Sequence, residues 1–295
     1  MKIRFRITKK WIRRIAILVA VFGILSLLGV GSLYHRPLTA KHLKMLSYLN
    51  LPIVKYRSGM IKASEVGKRV ELATKYSSNS DKISAEEIAK RILNERLMRN
   101  IASKLEITIS EEELEKAVDD YERQMGMDGS NFDELLFKQY SLTQSDLKQL
   151  LIRPYLEDVK LRIWYAGRPE LNNSAYKTVD LVGEALDRGE NFGTLARKYS
   201  QDDSSKSTLG DTGDLKLDTL LPEIATVLEA EESNSKPVKI VSRFGVHFVS
   251  VLATHKRGGV TYVQLRQIFI SCPGYEDWIT GKIKAEKSYW LLWGN

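Results

Sequence analysis

Residues 15 to 34 show no hydrophobic period: Ile15 to Tyr34 is a run of twenty uncharged residues rich in Ile, Leu, Val and Gly. Between 38 and 75, L-P-I-V-K-Y-R-S-G-M-I-K alternates and predicts a short strand pair turning around Ser58-Gly59. A polar break from Ser77 to Asp81 follows, and then the period becomes helical. Ser84 with Glu87 is a capping-box signature, and Ile88, Ile92, Leu93, Leu97, Ile101 and Leu105 continue as one face. Ser110 with Glu113 starts a second helix that ends near Gly126, and Asn131 with Glu134 predicts a third, short one. Thr143 with Asp146 starts a fourth that runs toward Trp164, with a kink expected at Pro154.

The second half mixes both periods. Ala175 to Leu186 is an amphipathic helix, and Phe192, Leu195, Ala196 and Tyr199 share one face of the next. A Ser-rich loop then leads to a tight turn between Gly210 and Gly213, and a further helix covers Ile224 to Leu228. Pro237-Val-Lys-Ile-Val and Val246 to Leu252 read as strands, His255 to Gly259 as a turn, and Val260 to Ile270 as a last strand. The C-terminal piece is a short amphipathic helix ending in an aromatic strand or turn, its Trp278, Trp290 and Trp293 expected to pack rather than bind a ligand.

Charge changes the picture only when it is localised. The net +8 is almost entirely the seven basic residues from Lys2 to Arg14, and the remainder holds 38 basic and 37 acidic residues. A nucleic-acid reader is basic in its folded part, so nucleic acid is not an expected partner. One cysteine, Cys272, excludes an intrachain disulfide, and four scattered histidines at no ligand-like spacing argue against a metal. At ~1.5 Å per residue, a helix over 15–34 spans a hydrocarbon core of about 30 Å. A cleaved signal peptide is the competing reading, but its apolar region is shorter, about 7–15 residues. An uncleaved anchor is therefore expected, with the basic residues 1–14 cytoplasmic and everything after Tyr34 outside the cytoplasmic membrane.

The order F-G-T-L-A-R-K-Y-S-Q-D from Phe192, G-D-T-G from Gly210, and F-G-V-H-F from Phe244 resembles parvulin-type (PpiC, rotamase) peptidyl-prolyl isomerases. These show F-x-x-L-A-x-x-Y-S-x-D, then G-G-D-L-G, then G-Y-H. The helical order upstream, with K-L-E-I-T-I-S-E-E-E and F-x-x-L-L-x-x-x-Y-S-L-T-x-x-D-L, resembles the N-terminal chaperone module of SurA-like proteins, which cradles unfolded clients. Parvulins begin with a strand carrying R-H-I-L. Nothing of that kind directly precedes Ala175, and V-K-L-R-I-W-Y at 159–165, the rival, fits better as the end of the long helix, whereas Arg266-Gln267-Ile268-Phe269 follows the last motif. A circularly permuted parvulin domain is expected, its first strand supplied last; a truncated second repeat is the competitor.

The resemblance implies a site. Position by position, its acid falls on Asp202, its second histidine on His247, its Ser/Thr on Ser242 and its first histidine on Gln267. Substrate contacts fall on Leu220, on Ile224 where the family has Phe, and on Phe248. Leu209 stands for the first Gly of the pair. Outside the motif, His247 would read as a satisfied core histidine and Asp202 as a loop cap. No cofactor is implied.

The expected fold class is α+β. It comprises a tail at 1–14, a transmembrane helix at 15–34, a SurA-like domain at 38–172, a parvulin-like antiparallel sheet with helices at 173–271, and an aromatic extension at 272–295. The expected function is isomerisation of X-Pro bonds in unfolded or nascent exported polypeptides, by a single-pass membrane protein. The rivals are a holdase of the same architecture without isomerase activity, and a structural envelope scaffold.

Overall fold

A computed structural model describes residues 43, 46–76, 84–127, 129–230 and 236–291. The architecture is α+β, with helices and two antiparallel sheets. The chain divides into two compact units, one of residues 1–97, 137–141 and 284–295, the other of 98–136 and 142–283. Among the described residues no helix is long and apolar enough to cross a membrane. The anchor expected at 15–34 and Trp293 lie outside them.

In the first unit, β1 (Pro52–Tyr56) and β2 (Gly59–Lys62) form the expected hairpin. β1 also pairs with the last strand of the chain, Val54 opposite Trp290 and Lys55 opposite Tyr289. Val54 and Ile61 lie inside, as does Ile53 at the register shift beside Pro52, and Lys55 and Met60 are left in water. Helix α1 (Ala63–Tyr76) follows β2 directly, and two ion pairs, Arg69–Glu95 at 2.7 Å and Arg96–Glu65 at 3.0 Å, tie it to α2 (Ala85–Lys104).

The helix starts follow the caps. Helix α3 (Glu111–Gln124) has the complete Ser110–Glu113 capping box, and α5 (Gln144–Leu147) has that of Thr143 and Asp146. Between them, α4 (Gly129–Tyr140) begins earlier than a cap at Asn131 predicts, and fully buried Phe132 anchors its first turn edge-on against Tyr121. The disturbance expected at Pro154 is a π turn over Lys148–Ile152, where the Arg153 N–H reaches back five residues to the Lys148 carbonyl. Proline has no N–H to give the preceding turn, and widening the helix there lets it resume as α6 (Arg153–Ala166) with Pro154 in its first turn.

The larger sheet has the order β3-β6-β5-β4, with every neighbour antiparallel. Its strands are β3 (Asp211–Lys216), β4 (Val238–Ser242), β5 (Gly245–Arg257) and β6 (Val260–Ser271). The strand predicted last in the domain thus lies in the middle of the sheet, bonded to β3 on one side and to β5 on the other. The turn before it is narrower than expected. His255 is still in β5, and only Gly258 and Gly259 turn, at φ +58° and +79°. Two successive positive φ values suit a two-residue hairpin, which glycine adopts without steric cost.

Each face of this sheet has its own core. Helices α7 (Asn173–Asp187) and α8 (Phe192–Tyr199) pack Val179, Val182, Leu195 and Ala196 on Val246, Phe248, Ile268 and Ile270. Burying a side chain such as Ile268 contributes about 1.5–3 kcal/mol. The other face carries Ile240, Val249, Val263 and Leu265, covered by Ile224 of α10 (Pro222–Ala230). Helix α11 (Tyr275–Ala285) stacks Trp278 on Trp164 at 5.6 Å and packs Tyr275 on Tyr165 at 5.9 Å. β7 (Ser288–Trp290) then closes the small sheet, so Trp278 packs on a neighbouring helix and Trp290 lies in a paired strand.

Candidate active site

The site is assembled on the sheet face shared by His247, Gln267 and Phe269. His247 lies directly opposite Phe269 in the β5–β6 ladder, and their rings stack at 4.7 Å. Gln267 is two residues before Phe269, so the strand period of two brings it to the same face. Asp202 arrives from outside the sheet. After α8 the chain is laced to β6: Ser200 Oγ accepts the Phe269 N–H at 3.2 Å and the Gln201 N–H donates to the Phe269 carbonyl at 2.8 Å. That lacing sets Asp202 opposite Gln267, where it caps the short helix α9 (Asp203–Lys206) through the Ser204 N–H at 3.2 Å.

Gly210 fixes Gln267 from the other side. Its carbonyl accepts the Gln267 N–H at 2.9 Å. Its φ is +89°, and a Cβ there would stand 2.7 Å from the Gln267 carbonyl oxygen, so only glycine allows this approach. The residue before it, Leu209, takes φ +62°, which costs a non-glycine residue roughly 1–2 kcal/mol.

A chain of four hydrogen-bonded side chains results. Gln267 Nε2 donates to Asp202 Oδ2 at 2.7 Å, and Gln267 Oε1 lies 3.3 Å from His247 Nδ1. On the other side of the ring, Nε2 is 2.8 Å from Ser242 Oγ. A carboxylate only accepts, so the Gln267 amide must face it with nitrogen and offer its oxygen to the histidine. The neutral ring therefore carries its proton on Nδ1 and accepts from the Ser242 hydroxyl at Nε2. The Gly245 carbonyl, at 3.4 Å, is the poorer partner for that hydroxyl.

Electrostatics agree with this assignment. Burial pushes His247 below its ordinary value, against the opposing influence of Gln267, Glu223 and Asp202, so the ring is neutral near pH 7. For Asp202, burial acts upward, but hydrogen bonds from Ser204, Ser205 and Gln267 outweigh it and hold the carboxyl below its ordinary value. Ser242 is fully buried and cannot meet a substrate as a nucleophile. The buried Cys272 thiol, pushed by desolvation to about 11, is inert too.

A cavity of about 350 Å³ opens over this chain, lined by Asp202, Phe244, His247, Gln267, Phe269 and Ser271. Three of the residues expected at the site thus line it, and Ser242 lies beneath. The three expected substrate contacts do not line it. Leu220 and Ile224 pack into the core on Ile240, Val249 and Leu265, and Ile224 is only 5% exposed. Phe248 faces α7 and α8 on the opposite side of the sheet, because successive strand residues alternate. The residues missed are Phe244, Phe269 and Ser271. Counting in twos from Gln267 along β6 would have found the last two. Among the described residues no group of three or more His, Cys, Asp or Glu side chains is placed to hold a metal.

Residues 167–253 match the model of the Rotamase family, described as the PPIC-type PPIase domain. That stretch contains Asp202, Ser242 and His247 but ends before β6 and its Gln267. The foldase protein PrsA 1 of Lactobacillus johnsonii is 27% identical over 172 residues, which is 51% of this chain and 56% of that protein. The chain therefore spans little more than half the length of that relative, and what is similar between residues 167 and 253 is a PPIC-type PPIase domain.

Proposed function

We propose that the larger sheet and its helices form a circularly permuted parvulin domain that catalyses cis–trans isomerisation of X-Pro bonds. The observation that carries the reading is the hydrogen-bonded series Asp202–Gln267–His247–Ser242 beneath a cavity walled by Phe244 and Phe269. The permutation is supported by β6, which pairs with both β3 and β5, supplies Gln267, and lies beyond the matched stretch.

Rotation about the peptide bond meets a barrier of ~18–20 kcal/mol because the amide is delocalised. In the twisted form the nitrogen lone pair is localised and the carbonyl oxygen carries less negative charge. Only interactions that favour the twisted over the planar amide accelerate the reaction. The Phe269 wall takes the proline ring out of water. The ionised Asp202 raises the planar amide, whose oxygen is more negative, above the twisted one. His247 moves no proton: both of its nitrogens are occupied, and the neutral ring forms the floor on which the amide rests. The mechanism forms no covalent bond and calls for no cofactor.

The substrates in this reading are unfolded polypeptides, in keeping with the foldase relative. The helices upstream of α7 serve as a SurA-like chaperone module. The uncharged run 15–34 behind seven basic residues supports a single-pass anchor with the bulk of the chain outside the cytoplasmic membrane. Carbonate extraction of membranes and protease accessibility of intact cells test this placement; release by carbonate would overturn it.

Two observations favour a second reading, a holdase. Gln267 cannot titrate as a histidine does, and Leu220 and Ile224 are taken up by the core. A protease-coupled assay of X-Pro peptides on the full chain decides between the two. Acceleration reduced about 10–100-fold by His247→Ala or Asp202→Asn supports the isomerase. No acceleration, with aggregation of an unfolded client still suppressed, supports the holdase.

A further inference from the structure

The hairpin between β4 and β5 turns through Arg243 and Phe244. Phe244 lines the cavity and yet leaves 53% of its surface exposed, at a hairpin tip where small polar residues are the rule. Its backbone is held at both ends. The N–H donates to Ser242 Oγ at 3.2 Å, and the carbonyl accepts the Cys272 N–H at 3.0 Å. The neighbouring residue is held more firmly still. Glu223, at the start of α10, takes three N–H groups of Arg243: the backbone at 3.2 Å, Nε at 2.9 Å and Nη2 at 3.1 Å. Nη1 of the same guanidinium donates to Tyr155 Oη at 2.7 Å. The ion pair is nearly buried, with side-chain exposures of 13% and 10%. A forked donor satisfied on both prongs fixes direction as well as distance.

We propose that Phe244 is a specificity-determining residue, the wall that receives the side chain flanking the proline, and that Arg243, clamped by Glu223, is the positioning residue that holds it there. This rests on the isomerase reading of the same cavity. Of the lining residues only Asp202 carries charge, and that charge is negative. The ring of Phe244 favours an apolar or aromatic flanking residue, and Asp202 disfavours an acidic one. The expected order of substrates is X = Phe or Leu well before X = Glu.

The test uses the full chain and tetrapeptide anilides Ala-X-Pro-Phe with X = Phe, Leu or Glu. Wild-type kcat/KM should favour Phe over Glu by about tenfold or more, and Phe244→Ala should reduce that ratio to about threefold or less. Arg243→Lys keeps the charge but loses the fork, and should lower the ratio through KM. In the Phe244→Ala background it should change the ratio no further, because it acts through the ring. A ratio that survives Phe244→Ala overturns the wall. An Arg243→Lys effect of equal size for every X, carried in kcat and undiminished in the Phe244→Ala background, overturns the positioning. Should the wild type accelerate none of the peptides, the isomerase reading itself falls. The wall is then judged by the affinity of the same peptides, fluorescently labelled and read by anisotropy: loss of discrimination in Phe244→Ala supports it, and retained discrimination overturns it.

Discussion

Gln267 donates from Nε2 to Asp202 Oδ2 across 2.7 Å, and this bond decides which nitrogen of His247 carries the proton. An amide has one donating and one accepting end, so anchoring the first to a carboxylate points the second at the ring. Gln267→Glu keeps the shape and removes the donor. Two carboxylates then share the position, and one of them must rise in pKa and hold a proton at higher pH. The variant should lose activity and gain a pH dependence that the wild type lacks near neutrality. A wild-type profile in the variant would refute the assigned relay. The pH–rate profile and a carboxyl NMR titration check it.

Acid should destabilise the protein in two stages. His247 is held below its ordinary 6.5. The unfolded chain therefore binds that proton first, and stability falls as pH drops below 6.5 toward the folded value. Asp202 and Glu223 are held below their ordinary 3.8 and 4.5. The stability they contribute is present above those values and disappears as pH falls through the lower folded ones. Urea unfolding from about pH 7.5 to about pH 3 should show both stages, and His247→Gln should remove the upper one alone.

Gly210→Ala and Gly213→Ala form a matched pair. Both residues have positive φ, +89° and +66°, but only at Gly210 does a Cβ meet the Gln267 backbone, at 2.7 Å. Gly213→Ala should cost about 1–2 kcal/mol. Gly210→Ala should cost more, up to about 3 kcal/mol, because backbone must also move. It should also lower kcat/KM, since the strand that shifts carries Gln267. Thermal melts and the peptide assay check both. Equal effects of the two substitutions would show that the close approach is immaterial.

Arg243→Ala leaves Glu223 buried without its partner and should cost about 3–5 kcal/mol. The exposed pair of Arg188 and Glu190, at 2.9 Å, makes the control: Arg188→Ala should cost at most about 1 kcal/mol. Denaturant midpoints at a common m-value give the comparison.

Local chemistry was enough to place most elements. Ser110 with Glu113 and Thr143 with Asp146 start helices because a hydroxyl and an acid three residues apart satisfy orphan N–H groups within one turn. Alternation marked β1, β2, β4 and β5, and the need for a complete sheet pointed to Val260–Ile270. But β3 over Asp211–Lys216 reads in the sequence as a turn between Gly210 and Gly213, because an edge strand with two polar faces carries no alternation. Matched spacing also singled out Asp202, His247, Ser242 and Gln267, which the fold joins in one hydrogen-bonded series. Tertiary structure decided what surrounds them. Leu220 and Ile224 have an apolar surface suited to a proline ring or to a core, and only the position of α10 over Val249 and Leu265 assigns them to the core. Phe244 and Phe269 become cavity walls because the long β5–β6 hairpin folds back until Phe269 stands opposite His247 and the Cys272 N–H reaches the Phe244 carbonyl. The pairing of Trp290 with Val54 joins residues far apart in the chain, and no local pattern encodes such a contact. Caps and periods act within a turn or a strand, whereas register, burial and the walls of a cavity depend on which surfaces meet after the chain has folded.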